Sequence, residues 1–171
     1  MVLVEFNGKK PRLGKDVYVD PTARILGDVE LGDNSAVWFG CLVKGEGGVT
    51  KIGSRSVVME QCFVEDAHLA EEVLVSHRSL LHRCIVESRV LIGIGAVILD
   101  GAQIGEGSII GAGSLVTAGT KIPKRCVAYG SPAKVVREIG EKDEEMFKKA
   151  LDEVAWKTSR YKIILSGSFE S

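Results

Sequence analysis

Asparagine and glutamine together number only four in 171 residues (Asn7, Asn34, Gln61 and Gln103), a scarcity seen in some thermophile proteins. Net charge is almost missing as well. The 22 basic and 23 acidic residues leave −1 at neutral pH, so no overall field draws the chain toward nucleic acid or an anionic membrane surface. No apolar run approaches the ~20 residues that span a bilayer. The opening stretch MVLVEFNGKK has no basic segment leading into an apolar one, and the expectation is that no secretory signal is present. A soluble cytoplasmic protein without nucleic-acid or membrane partners is the reading these absences support. The four cysteines, Cys41, Cys62, Cys84 and Cys126, form no C-x-x-C pair. A chain of this length can bury a core without disulfides, so they are expected to be small buried thiols.

What is present is a period of six. From Leu13 the register runs through Val19, Ile25, Leu31, Val37 and Val43, resumes after the insert GEGGVT at Ile52, Val58 and Val64, and continues at Leu69, Val75 and Leu81. It then passes through Val86, Ile92, Ile98, Ile104, Ile110, Val116 and Ile122. With two five-residue steps and one insert, 19 positions all hold Ile, Leu or Val, although these residues make up 48 of the 171. Neither an amphipathic helix nor an alternating strand has this period. The second position of a hexad is often Gly (Gly32, Gly53, Gly93, Gly105, Gly111) and the fifth is usually small (Ser35, Ser56, Ala96, Ala102, Ser108, Ser114). An inward aliphatic, a residue free to take an unusual backbone angle and a small residue at a bend predict short strands joined by corners. The fold expected is a parallel β-helix of hexapeptide repeats, an all-β class. Nineteen faces make about six triangular coils, roughly 30 Å tall at ~4.8 Å per layer.

The composition changes after YGSPAKVVREIG. The segment EKDEEMFKKALDEVAWKTSRYK is acidic in its first turn and carries Met146, Phe147, Ala150, Leu151, Val154 and Ala155 at three- and four-residue spacings, which predicts an amphipathic helix most simply packed along the coil. The expected organisation is a β-helix domain over residues 1–139 and a C-terminal helix with a loose tail over 140–171.

Two of the three histidines, His77 and His82, stand five residues apart in VSHRSLLHRC. Five places them on different faces of an α-helix and on opposite sides of a flat strand. In a β-helix the answer changes. One full turn from Val64 takes 17 residues because one step is short, so Glu65 lies directly beneath His82. His77 belongs to the preceding face, near its middle, and so points out across a different side. A neighbour packed by threefold symmetry could bring it to the same ion. Glu65 and His82 of one subunit with His77 of the next would supply three ligands and an open fourth position, which suits catalytic zinc. Each histidine alone also reads as an ordinary surface or subunit-contact residue.

The run from Val73 to Ile139, together with SAVWFGCLVKGE, closely resembles the γ-class carbonic anhydrase-like family of left-handed β-helix proteins. The likeness extends from about Phe6 to the C-terminal helix. It is specific in the family's G-H-x-x-x-x-H segment, matched by His77 and His82 with Ser76 in place of the Gly, and less so in GSPAKVVR, which hexapeptide acyltransferases share. The resemblance implies a homotrimer with metal sites at the subunit interfaces, binding Zn2+, Fe2+ or Co2+, and reversible hydration of carbon dioxide to bicarbonate.

Several supporting positions depart from the family pattern. Glu65 stands where the first metal histidine is expected, Met59 replaces the motif's Gln, Val57 its Asn and Glu60 its Asp. Lys44 and Glu46 replace the Arg and Asp of an R-G-D motif, and the loop after the first ligand is cut to EDAH. The metal set carried over is therefore His77, His82 and Glu65, with Lys44, Glu46 and Glu60 as the accompanying catalytic positions. His68, three residues past Glu65, is a substitute ligand if the loop permits. Met59 has no hydrogen to donate toward a nucleophile, and a carboxylate ligand should weaken the metal's Lewis acidity. Three functions stay open: a slowed carbonic anhydrase-like lyase, a catalytically inactive trimeric scaffold, and a hexapeptide acyltransferase using a histidine as general base.

Overall fold

The computed structural model describes residues 2–165, so the tail SGSFES lies outside the described residues. The chain divides into two compact units between Ile139 and Gly140. The first is a left-handed parallel β-helix. Its first face is built from Leu3–Val4, the opening halves of Arg24–Leu31 and Leu42–Ile52, then Phe63–Glu65, Leu80–His82, Val97–Ile98 and Leu115–Val116. The second face starts at Arg12–Leu13, takes the closing halves of the same two long strands, and continues through His68–Leu69, Ile85–Val86, Gln103–Ile104 and Lys121–Ile122. The third runs from Tyr18–Val19 through Ala36–Val37, Val57–Val58, Leu74–Val75, Leu91–Ile92 and Ile109–Ile110 to Cys126–Gly130. Each face thus has seven layers among the described residues rather than the six expected. Leu3–Val4 below the register's first residue and Cys126–Gly130 beyond its last supply the extra turn. An antiparallel return strand, Ala133–Glu138, closes the third face.

The core is the register itself. Ile25, Val37, Val43, Val58, Val64, Val75, Leu81, Val86, Ile92, Ile98, Ile104, Ile110 and Val116 are fully buried. They stack in register: Leu81 on Val64, Ile98 on Leu81, and Val116 on Ile98. Leu13 departs from this and is 41% exposed. It sits in the lowest layer of its face, with no described strand beneath it.

Corners work differently from the sequence expectation. The second-position glycines do not take the unusual backbone angle; the fourth position does. Asn34, Arg55, Gln61, Glu72, Arg78 and Arg89 all have φ between +55° and +59°, and Gly95, Gly101, Gly107 and Gly113 occupy the same slot. What the second position requires is closeness. A Cβ on Gly53 would lie 2.4 Å from the Ala70 carbonyl oxygen, and one on Gly93 would lie 2.5 Å from the Ala112 nitrogen. Fifth-position residues are buried as expected, and Ser56 and Ser108 among them bond corner to corner. Ser56 Oγ donates to the Ala70 carbonyl and accepts from the Val73 N–H, and Ser108 Oγ donates to the Pro123 carbonyl.

The second unit holds one helix, Glu141–Leu165. Asp143 Oδ2 accepts the Gly140 N–H at 2.9 Å, so the third helical residue reaches back to the residue before the helix. The apolar stripe is narrower than expected: Phe147 and Val154 are buried, while Met146 is 45% exposed. Among the described residues no helix is long and apolar enough to cross a membrane.

Because Gly93 is constrained by a backbone atom and Gly95 only by its φ, the two should respond differently. Gly93→Ala is expected to lower the unfolding free energy by about 1–3 kcal/mol through overpacking. Gly95→Asn, which enters open space in a conformation Asn tolerates, should cost less. Equal losses in denaturant titrations would contradict this division of roles.

Candidate metal centre

Three side chains stand in one column on the first face. Lys44, Glu65 and His82 each follow an inward valine or leucine and are paired in register, Lys44 with Glu65 and Glu65 with His82. The stacking of Glu65 beneath His82 is thus present. Lys44 Nζ lies 3.2 Å from Glu65 Oε1 and 2.7 Å from Glu46 Oε2, and 5.5 Å from the centre of the Phe63 ring. Its pKa is raised by the hydrogen bond to Glu46 and, after a partial offset from desolvation, by Glu65.

Above the column, Asp100 Oδ1 meets His82 Nδ1 at 2.5 Å. An ionised carboxylate only accepts, so in a neutral imidazole the hydrogen sits on Nδ1 and the Nε2 lone pair is free. The same bond is the leading cause that lowers the Asp100 pKa. His82 Nε2 faces Glu65 Oε2 at 3.5 Å. Two ligands of one tetrahedral zinc, with bonds of about 2.0–2.1 Å, are separated by about 3.3 Å. A lone pair facing a carboxylate is unfavourable until a cation lies between them, so the chemistry and spacing of this pair suit a metal ion.

His77 is elsewhere. It lies in the corner two residues past Leu74–Val75, between the third and first faces, where Glu60 Oε2 accepts from Nδ1 at 2.6 Å and leaves Nε2 free. Expected near the middle of its face, it is instead at a bend. Met59, beside Glu60, is buried. His68 opens His68–Leu69 on the second face and is exposed. Among the described residues no three His, Cys, Asp or Glu side chains of this chain gather around one metal position. One chain therefore brings Glu65 and His82 together and leaves His77 apart from them.

Asp100, Arg83 and Asp66 were not singled out by sequence reasoning. Arg83 lies 3.6 Å from both Asp100 Oδ2 and Asp66 Oδ2. Asp66 is 93% buried by side-chain area, and its Oδ1 has no hydrogen-bond partner among the described residues. The signal that could have found Asp100 is the change of step from five residues (Leu81 to Val86) to six (Ile98 to Ile104) in adjacent coils.

The four cysteines are free and buried. Cys41 and Cys62 occupy the same corner position in adjacent coils. Hydrogen bonding between the two thiols lowers the pKa of Cys41 and, with burial, raises that of Cys62. Burial pushes the Cys84 thiol up to about 12.

A family model described as bacterial transferase hexapeptide (six repeats) matches residues 83–118. A carbonic anhydrase of Geobacillus kaustophilus is 36% identical over 168 residues, covering 95% of this chain and 92% of the relative. The mitochondrial gamma carbonic anhydrase 2 of Arabidopsis thaliana is 33% identical over 149 residues, and the match covers 81% of this chain but 53% of the plant protein. The chain thus spans about half the length of that relative. Among solved structures, a hexapeptide transferase family protein from Anaplasma phagocytophilum superposes with a TM-score of 0.90 at 27% identity, covering 94% of this chain and 98% of that one.

The buried thiols generate a prediction. All four thiols are shielded from solvent, so iodoacetamide at neutral pH should leave native protein unmodified while labelling all four cysteines after denaturation. Mass spectrometry reads the count. Rapid labelling of Cys84 in the native protein would contradict its burial.

Proposed function

Because this chain belongs to the γ-class carbonic anhydrase-like family, we propose that it is a trimeric member with an altered interfacial metal site, catalysing reversible hydration of carbon dioxide at a reduced rate. Glu65 and His82 of one subunit and His77 of its neighbour would hold the ion, Zn2+ in the first instance and Fe2+ or Co2+ as alternatives. The single observation that carries this reading is the free Nε2 of His82 facing Glu65 Oε2 at 3.5 Å. When bound, the metal supplies Lewis acidity that makes water nucleophilic near neutral pH.

The chain's own residues set how well that chemistry runs. Asp100 and Glu60 each hold an Nδ1–H and so turn the other ring nitrogen outward, the outer-shell arrangement that fixes metal-binding imidazoles. Lys44 offsets the negative charge that Glu65 brings in place of an imidazole, and Glu46 holds Lys44 in place. Met59 offers no hydrogen to orient an attacking oxygen, which is the source of the reduced rate.

A second reading, a trimeric scaffold without catalysis, draws support from Lys44, whose ammonium already occupies Glu65 Oε1. Metal analysis and carbon dioxide hydration separate the two. Protein purified without added metal should carry about one ion per chain, and His82→Ala should lose both the ion and the hydration activity seen by stopped flow. Met59→Gln should raise kcat by about tenfold or more, within the range a positioned hydrogen-bonding group contributes. Intact trimers without metal would support the scaffold, and equal hydration rates for wild type and His82→Ala would eliminate the enzyme. Thermal protection by acetyl-coenzyme A would instead favour an acyltransferase.

A further inference from the structure

The two histidines of the proposed site differ in one respect. Among the described residues His77 has a single carboxylate against its ring, Glu60. His82 has two, Asp100 at Nδ1 and Glu65 at Nε2. A neutral imidazole has one hydrogen to give, so these carboxylates compete for it. If Glu65 took it, the ring would donate from Nε2 to Glu65, and both donors of the half-site would be consumed by an internal hydrogen bond. The distances, 2.5 Å to Asp100 against 3.5 Å to Glu65, decide the competition for Asp100.

The coil geometry explains why Asp100 can reach. Ile98 sits on Leu81 in register, so Leu99 follows above His82. Gly101 N–H donates to the Arg83 carbonyl and Ile85 N–H to the Ala102 carbonyl. Between Leu99 and Gly101 the upper coil has one residue more than the lower coil has between His82 and Arg83, and that residue is Asp100. Unmatched in the ladder, it leans over the shorter corner. Its Oδ1 meets His82, and its Oδ2 lies 3.6 Å from Arg83 Nη1, a cation that holds the carboxylate over the ring.

We propose that Asp100 is a positioning residue that keeps the hydrogen of His82 on Nδ1, and so keeps Nε2 open opposite Glu65. Its purpose rests on the metal-site reading above, but the tautomer can be measured without metal. Asp100 touches neither the ion nor a substrate; it acts through His82. An Asn at 100 can still accept the Nδ1–H through its amide oxygen, whereas Ala or Ser cannot reach it.

The test uses the full chain, metal-free, with nitrogen-15 histidine. Long-range proton–nitrogen spectra at mildly alkaline pH should report the Nδ1–H tautomer of His82 in wild type and in Asp100→Asn, and the Nε2–H tautomer in Asp100→Ala. Competition titrations with Zn2+ should then show affinity falling about 10–100-fold in Asp100→Ala, the range for loss of an outer-shell partner, with Asp100→Asn recovering most of it. His77 should keep its tautomer throughout. Should Asp100→Ala fail to fold, Asp100→Ser, which is also too short, takes its place. An unchanged His82 tautomer in the truncated variant would overturn the proposal, as would a changed tautomer with unchanged zinc affinity. Wild-type protein that binds no zinc would sink the metal-site reading instead, and the tautomer comparison would still decide the role of Asp100.

Discussion

Stacking of one inward aliphatic residue upon another, layer after layer, governs every other placement in the solenoid. Burial of these side chains is the main favourable term in a fold of this kind, and it fixes register because a slip by one residue would turn the aliphatic set out of the core. Once Val43, Val64 and Leu81 are aligned, the residues after them have no freedom. Lys44, Glu65 and His82 must form a column. The charges and lone pairs of the candidate centre are thus positioned by apolar packing that touches none of them.

The corners translate that register into chemistry. Two five-residue steps, one above the other, place Asp66 and Arg83 in left-handed conformations at φ of +48° and +47°. The next coil returns to six residues, and the surplus residue is the one whose carboxylate holds His82. The insert in Leu42–Ile52, in the same corner at the lower end of the column, carries Glu46, which braces Lys44. Irregularity in the repeat is concentrated where these polar groups converge; in the regular coils above, Gly95, Gly107 and Gly113 stand at the bends, and Lys124 forms a separate ion-pair group with Glu87 and Glu106.

The parallel coil was legible because period six survives any local ambiguity: nearly every register residue from Ile25 onward is fully buried. The pairing of Glu65 with His82 followed from counting alone. The role of the second-position glycines did not, because a sequence cannot distinguish a residue that needs an unusual angle from one that a neighbouring backbone approaches within 2.5 Å. Asp100 was missed for a related reason. Its importance comes from a mismatch between two coils, and neither coil alone reveals it. His77, expected near the middle of its face, lies in the corner instead, because Val75, read as the start of that face, is the last residue of Leu74–Val75.

The central claim is that register makes Glu65 and His82 two donors to one ion, completed by His77 of another subunit. X-ray absorption on the zinc-loaded protein tests it most directly. The account predicts two imidazole nitrogens and one carboxylate oxygen in the first shell, at about 2.0–2.2 Å. A shell with sulfur, or with no more than one imidazole, would contradict it.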